Sequence, residues 1–303
     1  METRATMTDF KLLIDADVEL AETPIWDSRV ERWYWTDLFS GDVHCYDPKH
    51  GGETVHPTNS YIGSAIPTTD PEKLLVSLTN GLHILDLTNN SLKFIADPEH
   101  GNVQNRYNDT RVDSRGRVFM SSVSKLYGTS AYQPDMLGGF YMVERDGSVR
   151  VIEEKINQFN AMVWNRDDSR MYVVDTYNQT LLAYDYDPDK GPVSPSRVVL
   201  EFGKLGLGMP DGINIDENDT LYVCHWTGQI SVWDNALQPM GVIPFPVEFA
   251  CCGGFGGPDM RDFLVASSKY CYAPDALAKN PGAGGIFAAR SAVRGMGDHF
   301  YIL

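Results

Sequence analysis

Four short stretches of this 303-residue chain hold oxygen-bearing side chains suited to chemistry: AETP (21–24), RYND (106–109), FNAM (159–162) and MPDG (209–212). Glu22, Asn108, Asn160 and Asp211 are far apart in sequence, and together they form a hard oxygen donor set. Such a set suits one divalent cation, Ca²⁺, Mg²⁺ or Mn²⁺, and related sites also accept Zn²⁺ or Fe²⁺. Taken singly, Asn and Asp are ordinary turn formers. Arg106 adds a planar fork of donors for an oxygen-rich ligand, with a surface ion pair as its ordinary alternative. What joins these residues is their place in a repeat.

Short runs rich in Val, Ile, Leu and aromatic residues follow turns that carry Asp, Asn or Gly: WDSRVERWYW, TDPEKLLVSL, VDSRGRVFMS, NRDDSRMYVV, DENDTLYVCH and PDMRDFLVAS. Their anchors are Asp27, Asp70, Asp113, Asn165, Asp216 and Asp259, spaced 43, 43, 52, 51 and 43 residues apart. A unit of roughly 40 to 50 residues with about four strands is a propeller blade. The chain is therefore expected to be all-β, a single six-bladed β-propeller domain over residues 1–303 with residues 1–8 flexible. The two long intervals place insertions at Ser124–Gly138 and Asp185–Ser196. FKLLI (10–14) is expected to complete the last blade, because an open ring leaves strand edges exposed. Only Pro274–Lys279 reads as a short helix. Each blade-opening segment then feeds the central axis, just ahead of its first inner strand.

Composition narrows the partners. Lysine and arginine total 25 against 41 aspartates and glutamates, a formal charge of −16. Such a field repels phosphate backbones and anionic lipid, so neither nucleic acid nor a membrane is expected as partner. Hydrophobic residues at 43% are enough for a real core. No apolar run approaches the roughly 18 residues of a spanning helix, and METRATMTDFKLLIDADVEL has no secretory pattern. The reading is a cytoplasmic protein, monomer or homodimer, that acts on a small molecule. Five cysteines without paired CxxC spacing read as strand-buried thiols.

The segments AETPIWDSRVERWYWTD, RYNDTRVDSRGRVF, FNAMVWNRDDSRMYVVDT, PDGINIDENDTLYV, GQISVWD, FGGPD and NPGAGGIF resemble, in order, the family of senescence marker protein 30 (regucalcin), gluconolactonase and luciferin-regenerating enzyme. The resemblance implies one divalent ion on the propeller axis, with Glu22, Asn160 and Asp211 as its ligands. It implies that Arg106 and Asn108 line the substrate pocket, and that small sugar lactones are hydrolysed. Thr23 and Ala161 stand where the family has glycine, both small enough to leave the ligands in place. Lys125, in SSVSKLYG (121–128), stands where many relatives carry acid. If it faces the pocket it favours an anionic lactone; the other possibility is that it points to solvent from the inserted loop.

The chemistry fits these residue types. A cation polarises a lactone carbonyl for attack by water, and Asp211 is the best-placed carboxylate to take the water's proton. Three further features invite a role. His225-Trp226 follows an inner strand, GGFGG (253–257) reads as a blade turn, and Tyr132, Met136 and Leu137 form either a lid or a surface loop. The competing functions are a non-catalytic calcium-binding or protein-interaction propeller and a phosphotriesterase-like hydrolase.

Overall fold

Branched and aromatic residues bounded by Asp- and Gly-bearing turns have one economical solution, an antiparallel meander. In the computed structural model, which describes residues 7–303, each repeat forms such a sheet. Among the described residues there are six, arranged as a β-propeller. Their inner strands are Ala21–Asp27, Ile62–Pro67, Asn105–Val112, Phe159–Trp164, Pro210–Ile215 and Ala250–Gly256, which define blades 1 to 6. Blade 4 is irregular. Its outer strand Arg197–Glu201 and the two-residue strand Gly191–Pro192 both pair with Thr180–Asp187, which accommodates the second insertion.

The ring closes through the N-terminus. Lys11–Ile14 pairs antiparallel with Ile286–Arg290, with Lys11 facing Ala288 and Leu12 facing Phe287, as FKLLI predicted. The expected flexible segment 1–8 lies, for residues 1–6, outside the described residues. Met7 bridges to Ser291, and the Thr8 N–H donates to Arg290 O at 2.9 Å. Among the described residues, helix is confined to Pro274–Leu277 and a 3₁₀ turn at Gly203–Leu205. No helix among the described residues is long and apolar enough to cross a membrane.

The core lies between blades. Ile66, Leu75 and Leu82 of blade 2 pack on Tyr107, Val118 and Met120 of blade 3. Phe119 and Phe140 of blade 3 meet Trp164, Val173 and Tyr184 of blade 4 in the next seam. Each fully buried side chain of this size contributes about 1.5–3 kcal/mol. The seams hold the blades as a ring around a narrow axis.

The anchor residues sit in the first hairpin of each blade, at the lower end of the inner strand. Asp27 Oδ1 accepts the Arg29 N–H at 2.9 Å, Asp113 Oδ1 the Arg115 N–H at 2.9 Å, and Asp216 Oδ1 the Asn218 N–H at 2.8 Å. The same Asx turn recurs, which is why the repeat is visible in sequence. A C-terminal tail crosses this lower face. Met296 N–H donates to Ile215 O, Tyr301 N–H to Pro67 O, and Asp298 Oδ1 lies 3.4 Å from Arg111 Nε. The Arg29 guanidinium stacks over Phe300, 4.2 Å from the ring centre.

At the upper end, every inner strand slips register at an equivalent place. Tyr107 faces Ser122 while Thr110 faces Met120, so Asn108 and Asp109 stand opposite one residue. Asn160-Ala161, Asp211-Gly212, Cys251-Cys252 and Gly63-Ser64 do the same, and in blade 1 the slip follows Glu22. A bulge re-aims side chains. The candidate residues therefore lie on the inner strands themselves rather than just ahead of them. Of GGFGG (253–257), the first four residues belong to the inner strand of blade 6, and only Gly257 lies in the turn that follows. A β-carbon on Gly254 would come 2.0 Å from Pro24 O, so the close approach of blades 6 and 1 requires glycine.

Candidate active site

The bulges of blades 3, 4 and 5, with Glu22 beside the slip of blade 1, bring side chains to a pocket of about 410 Å³ at the upper end of the axis. Glu22, Arg106, Asn108, Asn160 and Asp211 all line it. Thr23, where the resemblance expects glycine, keeps the left-handed backbone of that glycine, with φ of 45°. Ala161 is fully buried in the seam between blades 4 and 5.

Hydrogen bonds fix the floor. Arg106 Nη1 donates to Asn108 Oδ1 at 2.7 Å and to Tyr107 O at 3.2 Å. Asn108 Nδ2 donates to Asn160 Oδ1 and, at 3.1 Å, to Phe159 O. Asn160 Nδ2 continues to Thr176 Oγ1 at 2.7 Å, and that hydroxyl donates to Pro210 O at 2.8 Å. A directed chain thus runs from blade 3 to blade 5. Asn108 orients Arg106 and Asn160, with its own Oδ1 already occupied.

The two carboxylates are different. Glu22 is 9% exposed and Asp211 2%, yet Glu22 Oε2 and Asp211 Oδ1 have no hydrogen-bond partner. Carboxylate oxygens of Glu22 and Asp211 lie within 4.8 Å of each other and of Cys251 Sγ; a second such group joins Asp211, Asp109 and Cys252. Burial, then the like charges of Asp211 and Asp109, pushes the Glu22 carboxyl well above its usual range. Burial and Asp109 push Asp211 up to about 7, against the opposing pull of Trp226 and Arg106. Two buried, facing, unsatisfied carboxylate oxygens are the donors a divalent cation needs. The residues present fit such an ion.

Several neighbours take roles that the sequence did not assign them. Trp226 Nε1 donates to Asp211 Oδ2 at 2.6 Å, so within His225-Trp226 the indole, not the imidazole, serves the site. His225 is fully buried, bonded to Ser231 Oγ at 2.8 Å, and burial holds it down at about 4. Asp109 is buried just behind the pocket, 3.4 Å from Arg111 Nη1 and accepting from Cys252 Sγ. The RYND motif followed by Arg111 is its only trace.

Lys125 stands at the pocket mouth, partly exposed, and its Nζ donates to Val103 O at 2.8 Å. Tyr132 forms part of the wall, its hydroxyl accepting from Asn157 Nδ2 at 2.8 Å. Met136 and Leu137 do not line the pocket and are tied back toward Ser124 and Asn105.

Comparison with known proteins agrees with this architecture. The chain is 26% identical to a 6-deoxy-6-sulfogluconolactonase of Pseudomonas putida, across 93% of this chain and 94% of that protein. It is 27% identical to a pentonolactonase of Haloferax volcanii across 84% of each. The crystal structure of a calcium-binding regucalcin from Agrobacterium tumefaciens superposes with a TM-score of 0.89 at 24% identity, covering 98% of both chains. Residues 20–269 match the family described as the SMP-30/Gluconolactonase/LRE-like region, and the chain belongs to that family.

Proposed function

We propose that this chain hydrolyses a lactone or related cyclic ester to its hydroxy acid, and that the reaction depends on one divalent cation held by Glu22, Asn160 and Asp211. The observation that carries this reading is the pair of unpartnered carboxylate oxygens buried at the pocket floor. Nothing in the fold requires them, and leaving them so costs stability. The names of the relatives support the reaction class.

When bound, a cation of this kind supplies Lewis acidity to a carbonyl oxygen and acidifies water. The protein supplies position. Arg106, held against Asn108 and the Tyr107 carbonyl, turns its remaining N–H groups toward substrate oxygen. Asn108 fixes the carboxamide of Asn160. The indole of Trp226 holds Asp211 Oδ2, which leaves Oδ1 directed into the pocket. Asp211 takes a proton from the attacking water, the water oxygen bonds to the carbonyl carbon, and the ring C–O bond breaks. The leaving oxygen regains the proton as hydroxyl. Lys125 at the mouth assists a lactone that carries a negative charge.

The test removes bound ions with chelator, restores Ca²⁺, Mg²⁺, Mn²⁺, Zn²⁺ or Fe²⁺ singly, and follows acid release from a lactone panel. Turnover in the chelated protein equal to that with ions overturns metal dependence. One bound ion with no lactone or phosphotriester cleaved leaves a binding propeller instead.

A further inference from the structure

The walls above the floor say which lactone fits. We infer that the substrate carries an aromatic or similarly flat apolar group on its lactone ring, not a set of hydroxyls; this rests on the lactone-hydrolase reading above. Aromatic pairs close the pocket on three sides. Phe39 and Tyr270 lie with ring centres 5.0 Å apart, Tyr132 and Tyr177 at 6.5 Å, and Trp226 and Phe249 at 5.0 Å. All six line the pocket. They come from separate blades, so the faces surround the space instead of stacking into one seam.

Part of the polar capacity on these walls is already engaged. The Tyr132 hydroxyl is engaged by Asn157, Thr129 Oγ1 donates to Leu126 O at 2.7 Å, and Lys125 Nζ is held by Val103 O. The indole N–H of Trp226 already serves Asp211. The unpartnered buried oxygens of Glu22, Gln158 and Asp211, with Arg106, suffice for an ester group, and beyond them the walls add chiefly the phenol hydroxyls of Tyr61, Tyr127, Tyr177 and Tyr270. A polyhydroxylated ring would bring more hydroxyls than these groups match, and each unmatched one loses its water without return. A flat ring gains from each aromatic contact beyond its buried area. Tyr61 and Tyr177 remain 38% and 39% exposed, apolar surface that such a ring would cover.

The test separates binding from turnover. Non-hydrolysable lactams are titrated against the cation-loaded protein by calorimetry: 3,4-dihydroquinolin-2-one as the aromatic probe and gluconolactam as the polyhydroxylated one. The aromatic lactam is expected to bind about tenfold tighter. In Phe249→Ser and Tyr177→Ser, each checked for an unchanged melting temperature, the ratio of the two affinities is expected to fall about fivefold. Equal or tighter binding of gluconolactam, or a ratio untouched by both substitutions, overturns the inference. Hydrolysis of dihydrocoumarin and glucono-1,5-lactone is measured alongside. Tight aromatic binding with neither lactone cleaved sustains this inference and removes the hydrolase reading. Cleavage of both lactones together with preferred gluconolactam binding does the reverse.

Discussion

The two ends of the inner strands treat buried acids in opposite ways. At the lower end Asp27, Asp113 and Asp216 are each 1% exposed and saturated with donors. Asp113 takes the Arg115 and Arg117 N–H groups, Arg117 Nε at 2.7 Å and the Tyr186 hydroxyl at 2.5 Å. Asp216 takes two backbone N–H groups and the Tyr222 hydroxyl. At the upper end Glu22 and Asp211 are almost as buried, yet each keeps a carboxylate oxygen without a partner. Burial alone therefore does not distinguish a structural acid from a functional one. The donors around it do.

The largest expected effect exchanges the two ends. Asp211→Ala and Glu22→Ala should each abolish tight ion binding and turnover while the chelated protein keeps or gains thermal stability. Asp113→Ala should cost about 3–5 kcal/mol by stranding Arg117, with ion stoichiometry intact. Normal ion content in Asp211→Ala, or an unchanged melting temperature in Asp113→Ala, would break the comparison.

Next in size is a pH effect on the chelated protein. The folded-state pKa of Asp211 is raised from its ordinary 3.8 to about 7, so the native state holds a proton that the unfolded chain releases. Its stabilising contribution is complete below pH 4 and lost as pH rises through 7, on the order of a few kcal/mol. Denaturant melts of the wild type and Asp211→Asn should diverge across that window. Parallel curves would place Asp211 among the satisfied acids.

Trp226→Phe sharpens the contrast by removing the one donor that Asp211 has. Ion affinity, read by competition with a chelating dye, is expected to fall about 10- to 100-fold without loss of fold. The smallest effect belongs to Lys125. Lys125→Glu should lower kcat/KM for an anionic lactone several-fold, on the order of 1 kcal/mol, and leave a neutral one nearly unchanged. Salt should have the same selective effect. Equal responses of both substrates would assign Lys125 to Val103 alone.

The same contrast explains what was legible in sequence. Glu22, Asn108, Asn160 and Asp211 each stand five residues before an anchor, Asp27, Asp113, Asn165 and Asp216. The Asx turn below and the bulge above are thus locked to one strand length, and a repeat that reveals one reveals the other. The N-terminal closing strand was legible for a different reason, since a ring leaves its last edge one partner. Trp226, Asp109 and the aromatic walls were not. Trp226 and the wall rings hold no fixed offset from the anchors, and Asp109, four residues before Asp113, takes its role from Cys252 of blade 6 and from Arg111. His225 misled because an inner-strand end can turn its side chain into a seam, and only packing against Phe202, with ring centres 5.1 Å apart, decides that.

The tail across the lower face gives the axis a floor as well as a mouth. Met296, Asp298, Phe300 and Tyr301 contact blades 5, 3, 1 and 2 in turn, and the pocket has its mouth at the opposite end. A neutral ester enters by it and an acid must leave by it before the next ester arrives. Hydrolysis itself changes the sign of that journey. The product acquires a negative charge inside a protein that carries −16, and beyond the few cations near the mouth the same field that leaves a neutral ester indifferent drives the acid outward. Turnover is then an exchange at that mouth, with the surrounding charge favouring departure.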